Sequence, residues 1–161
     1  WSSDVCSSDL HHYLQNGKWF EKFRSNYLDV DNDALYPFGY GLSYTTFQYG
    51  DIVLNTPTMK QNETITATIQ VTNSGKYDGA EVVQLYIRDL VGSITRPVRE
   101  LKGFKKIFLK AGESKTVSFK ITADLLRFYD YDLKQVTEPG EFDIFIGGSS
   151  QATKTARLTL K

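Results

Sequence analysis

Between Thr64 and Thr72 apolar and polar side chains alternate without a break. Ile65, Ala67, Ile69 and Val71 fall on one side, and Thr64, Thr66, Thr68, Gln70 and Thr72 on the other. A period of two residues belongs to a strand with one buried face. The run Ala80–Asp89 is different: Val83, Leu85 and Ile87 face one way and Val82 and Tyr86 the other, so it reads as a central strand covered on both sides. One of those faces is expected to meet something outside the sandwich. Further strands are expected at LKGFKKIFLK (Leu101, Phe104, Ile107, Leu109), at KTVSFKI (Val117, Phe119, Ile121), at FDIFIGG (Phe142, Ile144, Ile146) and at TARLTL. Turn residues separate them: Asn73, Gly75, Asp78 and Gly79, expected to supply positive φ and Asx turns, then Lys110–Ser114, then Pro139–Gly140. ADLL reads as a single helical turn. No stretch of ten residues carries a helical stripe, and no internal repeat is evident. About seven short strands at this spacing predict an all-β domain over residues 47–161, an antiparallel β-sandwich of the immunoglobulin-like or fibronectin type III-like kind.

Upstream of Phe47 the pattern breaks down. Residues 11–35 are polar with scattered rings and predict an irregular arm. At YPFGYGLSY the bulky Tyr36, Phe38, Tyr40, Leu42 and Tyr44 alternate with Pro37, Gly39, Gly41 and Ser43. An extended segment would place the five large side chains on one side, while Gly39 and Gly41 let the backbone press against a neighbour. Each buried ring removes roughly 150–250 Å² from water, so the row is expected to hold two protein domains together. The competing expectation is a platform on which sugar rings stack.

Length and charge narrow the partners. A chain of 161 residues suits one domain plus an arm. Nineteen basic and nineteen acidic residues leave no excess charge to attract nucleic acid or an anionic membrane. No apolar run approaches the roughly 18–20 residues that cross a bilayer as a helix. The first ten residues, WSSDVCSSDL, have no apolar periodicity, and one back-translation of them resembles a sequencing-library adaptor; the expectation is that residues 1–10 are an artefact and that the native sequence begins near His11. The single cysteine, Cys6, falls inside that segment and says nothing of redox chemistry.

Four ordered motifs, LYPFGYGLSYTTF, VTNSGKYDGAEVVQLYIRD, TRPVRELKGFKKIFLKAGES and EPGEFDIFIGGSS, resemble the C-terminal end of glycoside hydrolase family 3 enzymes of the β-glucosidase kind, from about Lys18 to Leu160. Two departures stand out: Ala34 occupies a position where relatives commonly carry proline, and His11–Leu14 matches poorly. The resemblance implies a parent in three parts, a barrel with the nucleophilic aspartate, an α/β sandwich with the acid/base, and a fibronectin type III-like domain last. Only the last part and its lead-in, residues 11–46, are matched here. It further implies a retaining hydrolase of terminal β-glucosides, a periplasmic or secreted location, no cofactor, and the two upstream domains as partners. Retaining hydrolysis needs two carboxylates about 5–5.5 Å apart. No acid of this chain matches either catalytic motif, so the chain alone is expected to be inactive.

Other candidate chemistry is weaker. Asp29, Asp31 and Asp33 imitate the opening of a calcium loop, but Ala34 stands where glycine is needed and Tyr40 where a bidentate glutamate is needed, so a solvated acidic turn is the better reading. Asp130 and Asp132 are expected to share an exposed strand face. Adjacent His11 and His12 point apart on an extended chain and suit no common metal. Asn62 heads an N-E-T sequon that reads as a plain turn. Arg24, Asn26 and Tyr27 are placed, as hydrogen-bond donors, at the rim of an upstream active site. Arg96 and Arg99 follow a central strand and are expected in salt bridges or domain contacts. A free-standing carbohydrate-binding sandwich and a structural module are the alternatives to a bracing domain.

Overall fold

The computed structural model describes residues 34–161 in full, together with the backbone of Tyr13–Gln15 and Lys18–Phe20. The chain divides into two compact units, Trp1–Leu35 and Tyr36–Lys161. In the first, β1 (Tyr13–Gln15) pairs antiparallel with β2 (Lys18–Phe20), in register Gln15 opposite Lys18. This corrects the expectation of a wholly irregular arm. The signal is the Asn16–Gly17 pair between the strands, the dipeptide favoured in two-residue hairpin loops.

The second unit is a β-sandwich of one four-stranded and one five-stranded sheet. The smaller sheet is built on β6 (Thr64–Asn73), flanked on one edge by β3 (Phe47–Tyr49) and β4 (Val53–Leu54) and on the other by β9 (Ser114–Thr122). The larger runs in the order β5 (Thr58–Met59), β13 (Thr155–Leu160), β12 (Gly140–Gly147), β7 (Gly79–Asp89), β8 (Glu100–Leu109). All its pairings are antiparallel except β5 with β13. A 3₁₀ turn at Ala123–Leu126 and the small hairpin β10 (Phe128–Tyr129) and β11 (Gln135–Val136) lie between β9 and β12.

The alternation in β6 places its apolar side as expected: Ile65, Ala67, Ile69 and Val71 are essentially without exposure and pack on Val83, Leu85 and Ile87 of β7 and Ile144, Ile146 and Leu158 of the same sheet. Burying each such side chain stabilises the fold by about 1.5–3 kcal/mol before ordering costs. β7 lies between β12 and β8 and is buried on both faces from Val83 to Ile87. At Gln84 and Tyr86 its outer face is covered within this chain, Tyr86 packing in a second small cluster with Phe145 and Ala152, while Ala80 and Val82 on that face stay exposed.

Two expectations need correction. Gly75 and Gly79 do not adopt positive φ; at Gly75 a Cβ would instead collide with Thr45, so the position needs space rather than an unusual backbone. In β8 the register slips between Leu85 and Tyr86 of β7, which face Gly103 and Leu101, leaving Lys102 as the extra residue of a bulge. The bulge brings Leu101 to the outer face, where Phe104, an odd number of residues from Ile107 and Leu109, is 67% exposed while those two pack inward.

Candidate docking surface

Residues 36–46 do not form a strand. Pro37 opens a β-turn in which the Tyr40 N–H donates to the Pro37 carbonyl at 3.0 Å, and Gly39 takes φ 79°, a conformation that disfavours any side chain. The turn interrupts the expected two-residue alternation and brings the Tyr36 and Tyr40 rings to a centroid distance of 5.3 Å. The large side chains still face outward: Tyr36 and Phe38 are each 67% exposed, Tyr40 48%, Leu42 88% and Tyr44 97%.

What holds this segment is its backbone. Gln84 on the outer face of β7 is 5% exposed, and its amide nitrogen donates to the carbonyls of Gly39 at 2.9 Å and Gly148 at 2.8 Å. Its amide oxygen accepts from the Tyr86 hydroxyl at 2.5 Å. Burial pushes the Tyr86 phenol above its ordinary range, which keeps the hydroxyl a donor. A Cβ at Gly39 would strike Gln84 and the Tyr86 hydroxyl, so the close approach itself requires glycine. The Ser150 N–H donates to the Phe38 carbonyl at 2.8 Å. At the far end buried Thr45 donates its hydroxyl to Asn73 at 2.6 Å, and the Ser74 N–H donates to the Thr46 carbonyl at 2.9 Å. Asn73 in turn donates to the carbonyls of Tyr77 and Leu109. The segment is thus tied down at both ends with its rings turned away.

Arg99 supports this arrangement from below. Its guanidinium lies 3.9 Å from the Phe145 ring centroid and donates to the carbonyls of Ser150 and Ala152, fixing the loop that carries the Ser150 N–H. Arg96 pairs with Glu100 at 2.7 Å over the Phe128 ring. Between the sheets, Tyr49 donates to Glu81 at 2.5 Å. Burial raises the Glu81 carboxyl above its ordinary range despite the hydrogen bonds from Tyr49 and the Val82 N–H, and burial with the neighbouring carboxylate raises the Tyr49 phenol.

Asp130 and Asp132 occupy the loop of the β10–β11 hairpin rather than a strand face, where Asp130 accepts from the Asp132 and Lys134 N–H groups at 2.9 Å each. Asn62 lies in the exposed turn before β6. Arg24, Asn26, Tyr27, the aspartates 29, 31 and 33, His11 and His12 lie outside the described residues. Sequence reasoning missed Gln84 and Tyr86. Their only signal was a polar residue and a tyrosine on the second face of an otherwise apolar strand.

The model of the fibronectin type III-like domain family matches residues 81–150. The periplasmic β-glucosidase of Salmonella typhimurium is 50% identical over 139 residues, 86% of this chain and 18% of that protein. A β-xylosidase of Formosa agariphila is 48% identical over 151 residues, 92% of this chain and 21% of that protein. Among solved structures, the β-glucosidase EmGH1 of Erythrobacter marinus superposes with a TM-score of 0.81 at 40% identity, covering 87% of this chain and 18% of that one. The chain spans about a fifth of the length of these relatives. Fold and sequence agree: residues 81–150 match the fibronectin type III-like domain family, and the chain is similar to one part of these β-glucosidases and β-xylosidases.

Proposed function

We propose that this domain is the accessory part of a family 3 glycoside hydrolase that removes terminal β-glucosyl residues, and that it braces the catalytic domains through Tyr36, Phe38, Tyr40, Leu42 and Tyr44. The observation that carries the reading is the contrast within one segment: a backbone pinned by Gln84, Ser150 and Asn73–Ser74, and large apolar side chains left uncovered. Exposed rings held in a fixed arrangement suit a preformed interface, because little ordering cost is left for the contact itself. The catalytic carboxylates belong to the barrel and the α/β sandwich of the parent, with Arg24, Asn26 and Tyr27 at the rim of its active site. The domain acts on turnover indirectly, since a misplacement of about 1 Å at a reacting group costs on the order of a hundredfold in rate. The periplasmic name of one relative supports a periplasmic or secreted location.

The test is Tyr36→Ala with Phe38→Ala in the full-length enzyme. The melting temperature is expected to fall with KM little changed. An unchanged melting temperature with a raised KM would instead favour the sugar-platform reading.

A further inference from the structure

The bulge at Lys102 turns Leu101 onto the outward face that Phe104 and Phe108 occupy by the alternation of β8. Leu101, Phe104 and Phe108 of β8 stand opposite Tyr86, Gln84 and Ala80 of β7, and cross-strand partners share a face. Phe104 is 67% exposed, Phe108 57%, and Leu101 and Val82 38% each. Lys106, opposite Val82, is the one charge among them. This is the same outer face on which the Tyr36–Tyr44 segment lies: Tyr40 and Leu42 line a cavity of about 480 Å³ together with Val82 and Gln84. The rings of the segment and the phenylalanines of β8 therefore flank β7 from its two sides.

We propose that Leu101, Phe104, Phe108 and Val82 form a second docking surface, continuous with the Tyr36–Tyr44 rings, and that its occupant is the catalytic portion of the same polypeptide. The proposal rests on the bracing reading above and extends it from a segment to a sheet face. Two arguments select this occupant. The relatives are about five times longer than the chain, so a large body is attached to such a domain in each of them. A body seated on Tyr36–Tyr44 is tethered beside β8, where a short connection supplies an effective concentration in the millimolar range, and this favours the intramolecular contact over a second copy of the chain. Lys106 calls for a carboxylate or carbonyl group opposite it, because a buried cation must be paired.

The experiment is hydroxyl-radical footprinting of the full-length enzyme, with Tyr77, 65% exposed on the turn after β6, as the internal reference. After correction for intrinsic reactivity, Phe104, Phe108, Tyr36 and Phe38 are expected to oxidise about threefold or more slowly than Tyr77, as side chains in the core of an interface do. Protection of Tyr36 and Phe38 with Phe104 and Phe108 reacting like Tyr77 overturns the second surface and leaves the bracing reading intact. Protection of Phe104 and Phe108 that vanishes on dilution identifies a second copy as occupant and also overturns it. Reaction of all four at the reference rate overturns both.

Discussion

Gln84 sits where three pieces of chain converge, and every hydrogen-bonding position of its amide that the structure engages faces either the Gly39 and Gly148 carbonyls or the Tyr86 hydroxyl. Gln84→Leu keeps the volume and removes all three bonds. Leaving such groups without partners costs about 1–3 kcal/mol, read as a lower denaturant midpoint. The Ser150 amide, bonded to Phe38, should then exchange faster with solvent while the β6 amides keep their protection. Equal loss at both would mean that the residue supports the sandwich rather than the segment. Gly39→Ala tests the same contact from the other side: φ 79° and the approach of Gln84 and Tyr86 both oppose a side chain, and the expected destabilisation is on the order of 1–3 kcal/mol, measured by the same midpoint.

At the scale of the element, the two sheets are bonded to one another through Tyr49 on β3 and Glu81 on β7. Because burial raises the folded pKa of Glu81 above the ordinary 4.5, the folded state binds this proton more tightly than the unfolded chain. The stabilisation is fully present below pH 4.5 and is lost as the pH rises through the folded value. Glu81→Gln retains an acceptor for the Tyr49 hydroxyl and removes the titration. Its stability, followed by thermal melting from pH 4 upward, should decline less than that of the parent over the acid-to-neutral range, and an identical slope would exclude Glu81 as the source. The elements themselves were unequally legible. β6 could be read residue by residue because its period of two is unbroken and one face is wholly buried. β8 could not, because one extra residue at Lys102 exchanges the faces on either side of it, so Leu101, whose spacing matches Ile107 and Leu109, lands on the outer face beside Phe104. The exposed rings were legible as an excess of apolar residues between glycines. The residues that fix them were not, since Gln84 is 45 positions from Gly39 and only the fold brings them together.

At the scale of the whole molecule, the decisive property is a sandwich whose core is closed and whose outer face is not. The core of β6, β7, β9, β12 and β13 is complete within Tyr36–Lys161. Uncovered apolar side chains stand on the segment before Phe47 and on β8, besides those on the Val91–Val98 loop and the β10–β11 hairpin. Leu42, 88% exposed, has neither a ring face nor a polar group to offer a sugar, whereas a domain that normally sits against another body would carry such a residue at the contact. The 161-residue chain in isolation should therefore bind a hydrophobic dye and associate as its concentration rises. Replacing Tyr36, Phe38 and Leu42 by serine should suppress both without lowering the melting temperature of the chain, because these side chains add little to its own core. Calorimetric titration with cellobiose or laminari-oligosaccharides should give no heat of binding for either form. Saturable heat that disappears with the serine replacements would make the rings a carbohydrate platform and remove the basis for a brace.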